Sequence, residues 1–323
     1  MALPFHGRGA AVGAAQETTY GTAVSPRTHW RQTVSSSAYR KVTRNYRPGL
    51  VGVAAAYANR STVSGVTECG GSFEHVLTYE GAGLLLYHAL GDASSTGSGP
   101  YVHSYTLGGL PTGLTLEFIE SGDSGSVAQV AEGCKISRMS LRWASPGEVA
   151  RMSCDFLAED IAAYAAASSG GSAPAYGAGG LDMVGHQLGA LSWNGNNYDL
   201  VSLEMIIDNR LTRRYKLGSR LTKEPTRSDF VEVTWRAEVE WENNNAHTDL
   251  RAEVQGDVAV TSTGTGNHAC TFTLQNAQLW DAPKSVDGPG PGTQTLEWRG
   301  LSDGTDEGFK IAMTNDDSDN IAN

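Results

Sequence analysis

Little in this sequence supplies reactive or metal-binding chemistry. Cysteine is scarce and dispersed: Cys69, Cys134, Cys154 and Cys270 include no C-x-x-C pair, so buried free thiols are the expected state. The eight histidines are scattered, with no H-x-x-x-H or H-E-x-x-H pair, and the acids of Asn315–Asn320 lack the central glycine and closing glutamate of a calcium loop. Gly7, Gly9 and Gly13 have the wrong spacing for a dinucleotide turn. Neither a metal nor a cofactor is expected. The longest apolar run, Leu50–Ala58, is nine residues, too short to cross a bilayer. Met1–Ala15 lacks the leucine-rich core of a secretory signal, so folding in a cytoplasm with no membrane partner is expected. Charged residues make up only 18% of the chain, which argues against long solvated helices.

What the sequence has instead is glycine, 39 residues of it, and a 40% hydrophobic content that can bury a core. Phe230–Trp241 alternates strictly: Val231, Val233, Trp235, Ala237, Val239 and Trp241 interleave with Glu232, Thr234, Arg236, Glu238, Glu240 and Glu242. Such a period predicts a strand with one buried face and one wet face, acidic at its end. Met139–Trp143 and Ala150–Phe156 alternate around the turn signal Ser145-Pro146-Gly147-Glu148 and predict a hairpin. Further strands are expected at Ser72–Thr78, Leu114–Ile119, Ser202–Asp208, Thr271–Leu279, Gln294–Trp298 and Gly308–Met313. Two helices are expected. The first is Glu80–Leu90, stopped by Gly91. The second is Ala246–Val254, capped by the Asn243–Asn245 run and stopped by Gly256. The Gly/Ala/Ser-rich stretch 168–180 reads as a linker, and the tail from Asn315 as frayed.

The net charge of −11 is unevenly placed. Residues 1–180 carry 12 basic and 13 acidic groups, whereas 181–323 carry 12 and 22. Two stretches run the other way: 27–60 holds seven basic residues and no acid, and 210–227 holds seven with Glu224 alone against them. An acidic chain is a poor general ligand for phosphate backbones. Val42-Thr43-Arg44-Asn45-Tyr46-Arg47-Pro48-Gly49 also aligns with Leu211-Thr212-Arg213-Arg214-Tyr215-Lys216-Leu217-Gly218. In each half a basic stretch precedes a strand, a short helix and more strands. Two related modules are therefore expected, 1–170 with a basic loop at 27–60 and 181–323 with a basic loop at 210–227, joined by a linker at 171–180.

Gly122-Asp123-Ser124-Gly125-Ser126 matches the serine loop of trypsin-like proteases. No histidine has the flanks such an enzyme needs, so a Gly/Ser-rich β-turn is the preferred reading and no enzyme is expected. Asn59-Arg60-Ser61 fits a glycosylation sequon, which carries no weight without a secretory signal.

The segment Gln16-Glu17-Thr18-Thr19-Tyr20-Gly21-Thr22 resembles the "Q-E-x-x-Y-G-T" opening of tail tube (major tail) proteins of long-tailed, siphovirus-type bacteriophages. Three further matches follow in order. They are Gly71–Glu74 leading to Leu84-Leu85-Leu86-Tyr87-His88-Ala89-Leu90-Gly91, Tyr101-Val102-His103-Ser104-Tyr105, and Gly133-Cys134-Lys135-Ile136. The third element ends in Tyr105 where the family pattern has Phe. The first half of the chain is covered well, and the second only by the order of its elements.

The resemblance implies a mainly β fold of two tail-tube-type β-sandwich or barrel modules, each with a short helix, whose inner strands join a ring-wide β-barrel. It implies a virion structural protein, assembled in the host cytoplasm into stacked rings that form the tail tube and conduct DNA during ejection. Partners would be other copies of the chain, the tape measure and terminator proteins, and genomic DNA as a cargo that does not adhere. Two modules per chain favour a trimeric ring with pseudo-sixfold symmetry, with a hexameric ring as the alternative. In that setting Glu238, Glu240 and Glu242 are candidates for the lumen wall, where like charge keeps phosphates from adhering. Arg44, Tyr46, Arg47, Arg213, Tyr215 and Lys216 are candidates for arms reaching a neighbouring subunit or ring. The competing readings are a monomeric β-sandwich that binds carbohydrate or a host surface, with Trp193, Trp280 and Trp298 lining a groove, and a hydrolase using Ser124.

Overall fold

Alternation of apolar and polar residues along the strands decides how this protein stacks. A computed structural model describes residues 6–46, 62–122, 125–166, 182–185, 187–285, 291–301 and 308–318. The first half runs β1 (His6–Gln16), β2 (His29–Tyr46), β3 (Thr62–Val76), α1 (Gly83–Leu90), β4 (Gly91–Thr96), β5 (Tyr101–Leu107), β6 (Leu114–Gly122), β7 (Gly125–Trp143), β8 (Arg151–Ala158), β9 (Asp160–Ile161) and β10 (Ala165–Ala166). The second half begins β11 (Leu191–Trp193), β12 (Asn196–Tyr198), β13 (Leu200–Asp208), β14 (Leu211–Arg214), β15 (Lys223–Arg227), β16 (Glu232–Glu240) and α2 (Asn245–Arg251). It ends β17 (Gln255–Thr263), β18 (Ala269–Asp281), β19 (Lys284–Ser285), β20 (Thr293–Arg299) and β21 (Phe309–Asn315). The protein is mainly β, with two short helices and large antiparallel sheets.

One antiparallel sheet runs through both halves in the order β2-β3-β8-β7-β13-β16-β20. Its inner face is apolar, and two further sheets cover it. Over the first half lie β1, β6 and the N-terminal part of β7, with Phe118 stacked on Phe156 at 5.6 Å and edge-on to Phe73 at 6.3 Å. Over the second half lies the sheet β4-β5-β21-β18-β17-β11-β12. Three edge-to-face aromatic pairs fill this gap: Trp143–Phe272, Trp193–Trp298 and Trp235–Phe309. Such pairs add about 0.5–1.5 kcal/mol each beyond their buried area. Strand β7 belongs to both layers. Its first part pairs with β6, and its last part lies between β8 and β13, with Gly133 at φ +61° close to where it passes from one to the other.

The expected strands fall on β3, β6, β13, β16, β18, β20 and β21, and the expected hairpin is β7–β8, closed by Arg142 opposite Arg151. All four cysteines are buried and free. Both helices are shorter than the sequence suggests. Helix α1 starts at Gly83 because Gly81 takes a left-handed φ of +67°, while Gly91 ends it as expected, its N–H bonding Tyr87 O. Helix α2 ends at Arg251; Glu253 turns left-handed and Gly256 lies inside β17 rather than acting as the stop. The tail is not frayed at its start, since Asn315 is buried and its Nδ2 donates to Tyr79 O at 2.6 Å. The linker 171–180 and Ser124 lie outside the described residues; Gly122 and Gly125, which flank Asp123-Ser124, pair across the β6–β7 connection.

The Q-E-x-x-Y-G-T segment turns out to be a structural lock. Glu17 is 1% exposed, and its carboxylate accepts from Gly21 N–H at 2.9 Å, Thr115 Oγ1–H at 2.9 Å and Gly133 N–H at 2.8 Å. It thus ties the turn after β1 to β6 and to the bend in β7. Tyr20 closes over the same glycine, where an added Cβ would lie 2.9 Å from the ring. Glu17→Ala strands two backbone N–H groups and a hydroxyl, and is expected to destabilise the chain by about 3 kcal/mol; urea unfolding of wild type and variant measures this.

Two histidines set an acid limit. Burial lowers His75 to about 4, and lowers His88 to about 3 with help from Lys135. Both are neutral when folded and take a proton near pH 6.5 when unfolded. Their contribution is therefore present above pH 6.5 and is lost as pH falls from there toward 4. Unfolding midpoints in urea are expected to drop between pH 7.5 and 5, and His75→Phe to flatten that dependence.

Candidate assembly and cargo surfaces

The outer face of the shared sheet is mainly polar, with Tyr39, Leu157 and Ile206 among its apolar positions. Cross-strand register builds charged rows on it from residues far apart in the chain. One row reads Arg151, Arg142, Glu204, Arg236, Glu297; another reads Asp155, Arg138, Asp208, Glu232. Arg151 pairs with Glu74 at 3.0 Å, and Arg299 reaches Glu232 at 3.6 Å and Glu297 at 3.5 Å. The centre of the face is charge-mixed rather than acidic, because β7, β8 and β20 bring arginines next to the carboxylates. The acidic character expected from β16 survives at one end. There Glu238 is half-buried between Ser202 and Thr295, Glu240 is exposed opposite Thr293, and Glu242 is exposed just beyond the strand.

Segment 210–227 is docked on its own chain. Strands β14 and β15 form a hairpin that lies across the base of β2–β3. Arg213 donates to Cys69 O at 2.8 Å and to the Tyr39 hydroxyl at 3.1 Å, Tyr215 Oη donates to Thr67 O at 3.2 Å, and Thr67 N–H donates to Arg220 O at 2.8 Å. Glu224, the one acid of the segment, receives the buried Lys135 ammonium at 2.5 Å. Arg227 reaches Gly108 O and the buried Asn209, whose own amide donates to Ala89 O and Ile136 O. Lys216 is exposed and near Glu159. Burial and then Glu132 raise the Glu159 carboxyl above its usual range, and Lys216 offsets part of that rise.

Segment 27–60 divides in two. Its start is tied to its own chain: Arg27 is buried against Glu117 at 3.3 Å, Arg31 donates to Glu80 O, and the exposed Arg40 pairs with Asp160 at 2.7 Å. Its far end points away. Arg44 is exposed on β2, Tyr46 ends that strand opposite Thr62, and Arg47 lies outside the described residues. From Thr33 to Tyr46, β2 pairs on one side only, with β3, among the described residues. That leaves an edge carrying exposed Lys41 and Arg44, which discourages indiscriminate strand pairing.

Sequence reasoning missed Leu217 and Phe230 as exposed apolar groups, while Trp280 was among the tryptophans it offered for a groove. Leu217, at the tip of the β14–β15 hairpin, and Phe230, before β16, are almost wholly exposed, and Trp280 is half-exposed beneath the Arg299 guanidinium at 4.5 Å. Of the three tryptophans offered for a carbohydrate groove, Trp193 and Trp298 are buried in the core. Among the described residues, no helix is long and apolar enough to cross a membrane.

A protein-family model described as phage tail tube protein matches residues 7–300. The chain belongs to that family. It is a structural protein of the phage tail, and the early resemblance carried by Gln16–Thr22 holds over both halves. No curated protein matches the chain. Replacing Arg213 with Ala leaves Cys69 O and Tyr39 without their donor. It is expected to cost about 1–2 kcal/mol and to speed amide exchange across 211–227 while β7 and β8 stay protected, as read by hydrogen-exchange mass spectrometry.

Proposed function

We propose that the chain polymerises into stacked rings that form the tail tube of a siphovirus-type phage, the conduit for DNA during ejection. One observation carries this reading beyond family membership: a single continuous sheet, mainly polar on one face and packed on the other, that ends at β2 in an edge which, from Thr33 to Tyr46, has no second partner among the described residues. Edges of this kind close when copies join into a barrel, and the polar face then becomes a wall. Assembly would take place in the host cytoplasm, with the tape measure and terminator proteins as further partners. The two expected modules, 1–170 and 181–323, favour a trimeric ring of pseudo-sixfold symmetry over a hexameric one.

The repeat gives this a residue-level form. Arg213 and Tyr215 bond the β3 backbone within the chain, and Arg44 and Tyr46 occupy the aligned positions. We read Arg44, Tyr46 and Arg47 as making the equivalent clasp on the next chain, near the start of β16 where Phe230 is exposed. Lys216 and Leu217 would face a neighbour from the other side. On the wall, the charge-mixed centre and the acidic end at Glu238, Glu240 and Glu242 together offer phosphates no uncompensated positive surface to grip. No catalytic or cofactor role is proposed.

Negative-stain microscopy of the purified chain at rising concentration is expected to show rings and tubes; a monodisperse monomer at high concentration would overturn the reading. Arg44→Ala is expected to remove about 1.4 kcal/mol of contact per interface and so raise the concentration needed for assembly about tenfold. Glu238→Lys with Glu240→Lys is expected to leave tubes intact and impair DNA ejection, whereas failure to assemble would place those residues at an interface instead.

A further inference from the structure

Four side chains from well-separated segments meet where the end of the last strand crosses the entrance of α1. Glu80 comes from the connection between β3 and α1, Asp182 opens the second half, His268 stands in the turn before β18, and Asp316 follows β21. We propose that Glu80, His268 and Asp316 bind one divalent cation of the kind that accepts mixed nitrogen and carboxylate ligands, with Zn²⁺ as the best fit.

The geometry supports this in two independent ways. His268 Nε2 lies 3.8 Å from Glu80 Oε1 and 3.7 Å from Asp316 Oδ2, and one ligand atom from each residue falls within 4.8 Å of the others. Ligands about 2.1 Å from a shared tetrahedral ion stand roughly 3.4 Å apart, so small side-chain movements bring these atoms into range. A plain ion pair would close to hydrogen-bond distance; here both carboxylates stand off from Nε2 by about the gap an ion spans. The second support is the other side of the ring. Asp182 Oδ2 accepts from His268 Nδ1 at 3.2 Å, and is itself held by Thr265 N–H and Thr265 Oγ1, each at 2.9 Å. These bonds fix Asp182 as the acceptor on the Nδ1 side of the ring. The bond from the ring to Asp182 places the proton on Nδ1 and leaves the Nε2 lone pair aimed between Glu80 and Asp316, the carboxylate–histidine arrangement that orients a metal ligand. Tyr79 stacks on the ring at 5.8 Å and fixes its plane.

The donor set decides the class of ion. One imidazole and two carboxylates are too few oxygens for Ca²⁺, and a nitrogen ligand is foreign to Mg²⁺, whereas three protein ligands plus water suit Zn²⁺. The ion would stitch the turn after β21 to the mouth of α1, where Asp317 Oδ2 already accepts from Gly81 N–H at 2.8 Å.

The test uses the full chain, stripped with EDTA and titrated with Zn²⁺ by calorimetry, and with Co²⁺ by visible absorption. One ion per chain, a tetrahedral Co²⁺ band and a higher Tm with Zn²⁺ but not Mg²⁺ are expected. His268→Gln should abolish the Co²⁺ band. Asp316→Asn, at an exposed position that leaves folding undisturbed, should weaken Zn²⁺ binding at least 100-fold, and Asp182→Asn should weaken it 10–100-fold. No Co²⁺ band in the wild type, or Zn²⁺ binding unchanged in Asp316→Asn, overturns the proposal and leaves His268 as an ion-pair partner of Asp182 alone.

Discussion

The alternation of side chains on one shared sheet is the constraint on which everything else rests. A one-residue slip in any of its strands would send aromatic residues such as Trp235 and Phe156 to water and their charged neighbours to the core. With register fixed, the inner face must be covered twice, once by β1 and β6 and once by β18 and β21, and the outer face is left mainly polar from β3 to β20. Strand β7 takes part in the first cover and in the shared sheet alike. The boundary between the halves is thus crossed by a hydrogen-bonded ladder between β7 and β13, and the buried apolar cluster is continuous from Val12 to Met313.

Period-two patterning made most strands legible, because it is a local signal written in consecutive residues. Val233, Trp235, Ala237 and Val239 are buried as their spacing indicates. Helix ends were less legible: Gly81 and Glu253 adopt left-handed backbone that composition alone does not reveal. The charge of the sheet's wet face beyond β16 was not legible in sequence, for a different reason. Its charge depends on which residues lie opposite one another, and Arg142 beside Glu204 is a pairing between positions more than sixty apart in sequence. The same holds for His268. Motif spacing looks for chemically linked groups close together on one element, whereas Glu80, His268 and Asp316 come from three separate segments.

The basic segments show how a correct signal can be given too simple a meaning. An excess of positive charge in an acidic protein implied complementary partners, and for Arg27, Arg40, Arg210 and Lys135 those partners are acids of the same chain: Glu117, Asp160, Glu232 and Glu224. The one fully buried pair, Arg27–Glu117, adds little net stability yet fixes how its elements meet, since removing one partner leaves the other stranded, whereas the Arg40 and Arg210 pairs lie at the surface. Glu224 stood out in sequence as the lone acid among bases. In the structure it is where the hairpin is fastened, and Glu17 plays a similar part beneath the motif that first suggested the family.

The docking of β14–β15 over β3 has a consequence for encounter rates. Joined by one polypeptide, the two surfaces meet at an effective concentration set by the tether, in the millimolar range for short flexible connections. Arg213 and Tyr215 therefore find Cys69 O and Thr67 O at any dilution, with no diffusional search between molecules. Every chain arrives with this contact already formed. Any clasp of the same design made by Arg44 must wait for a collision, so protein concentration governs the second contact and not the first.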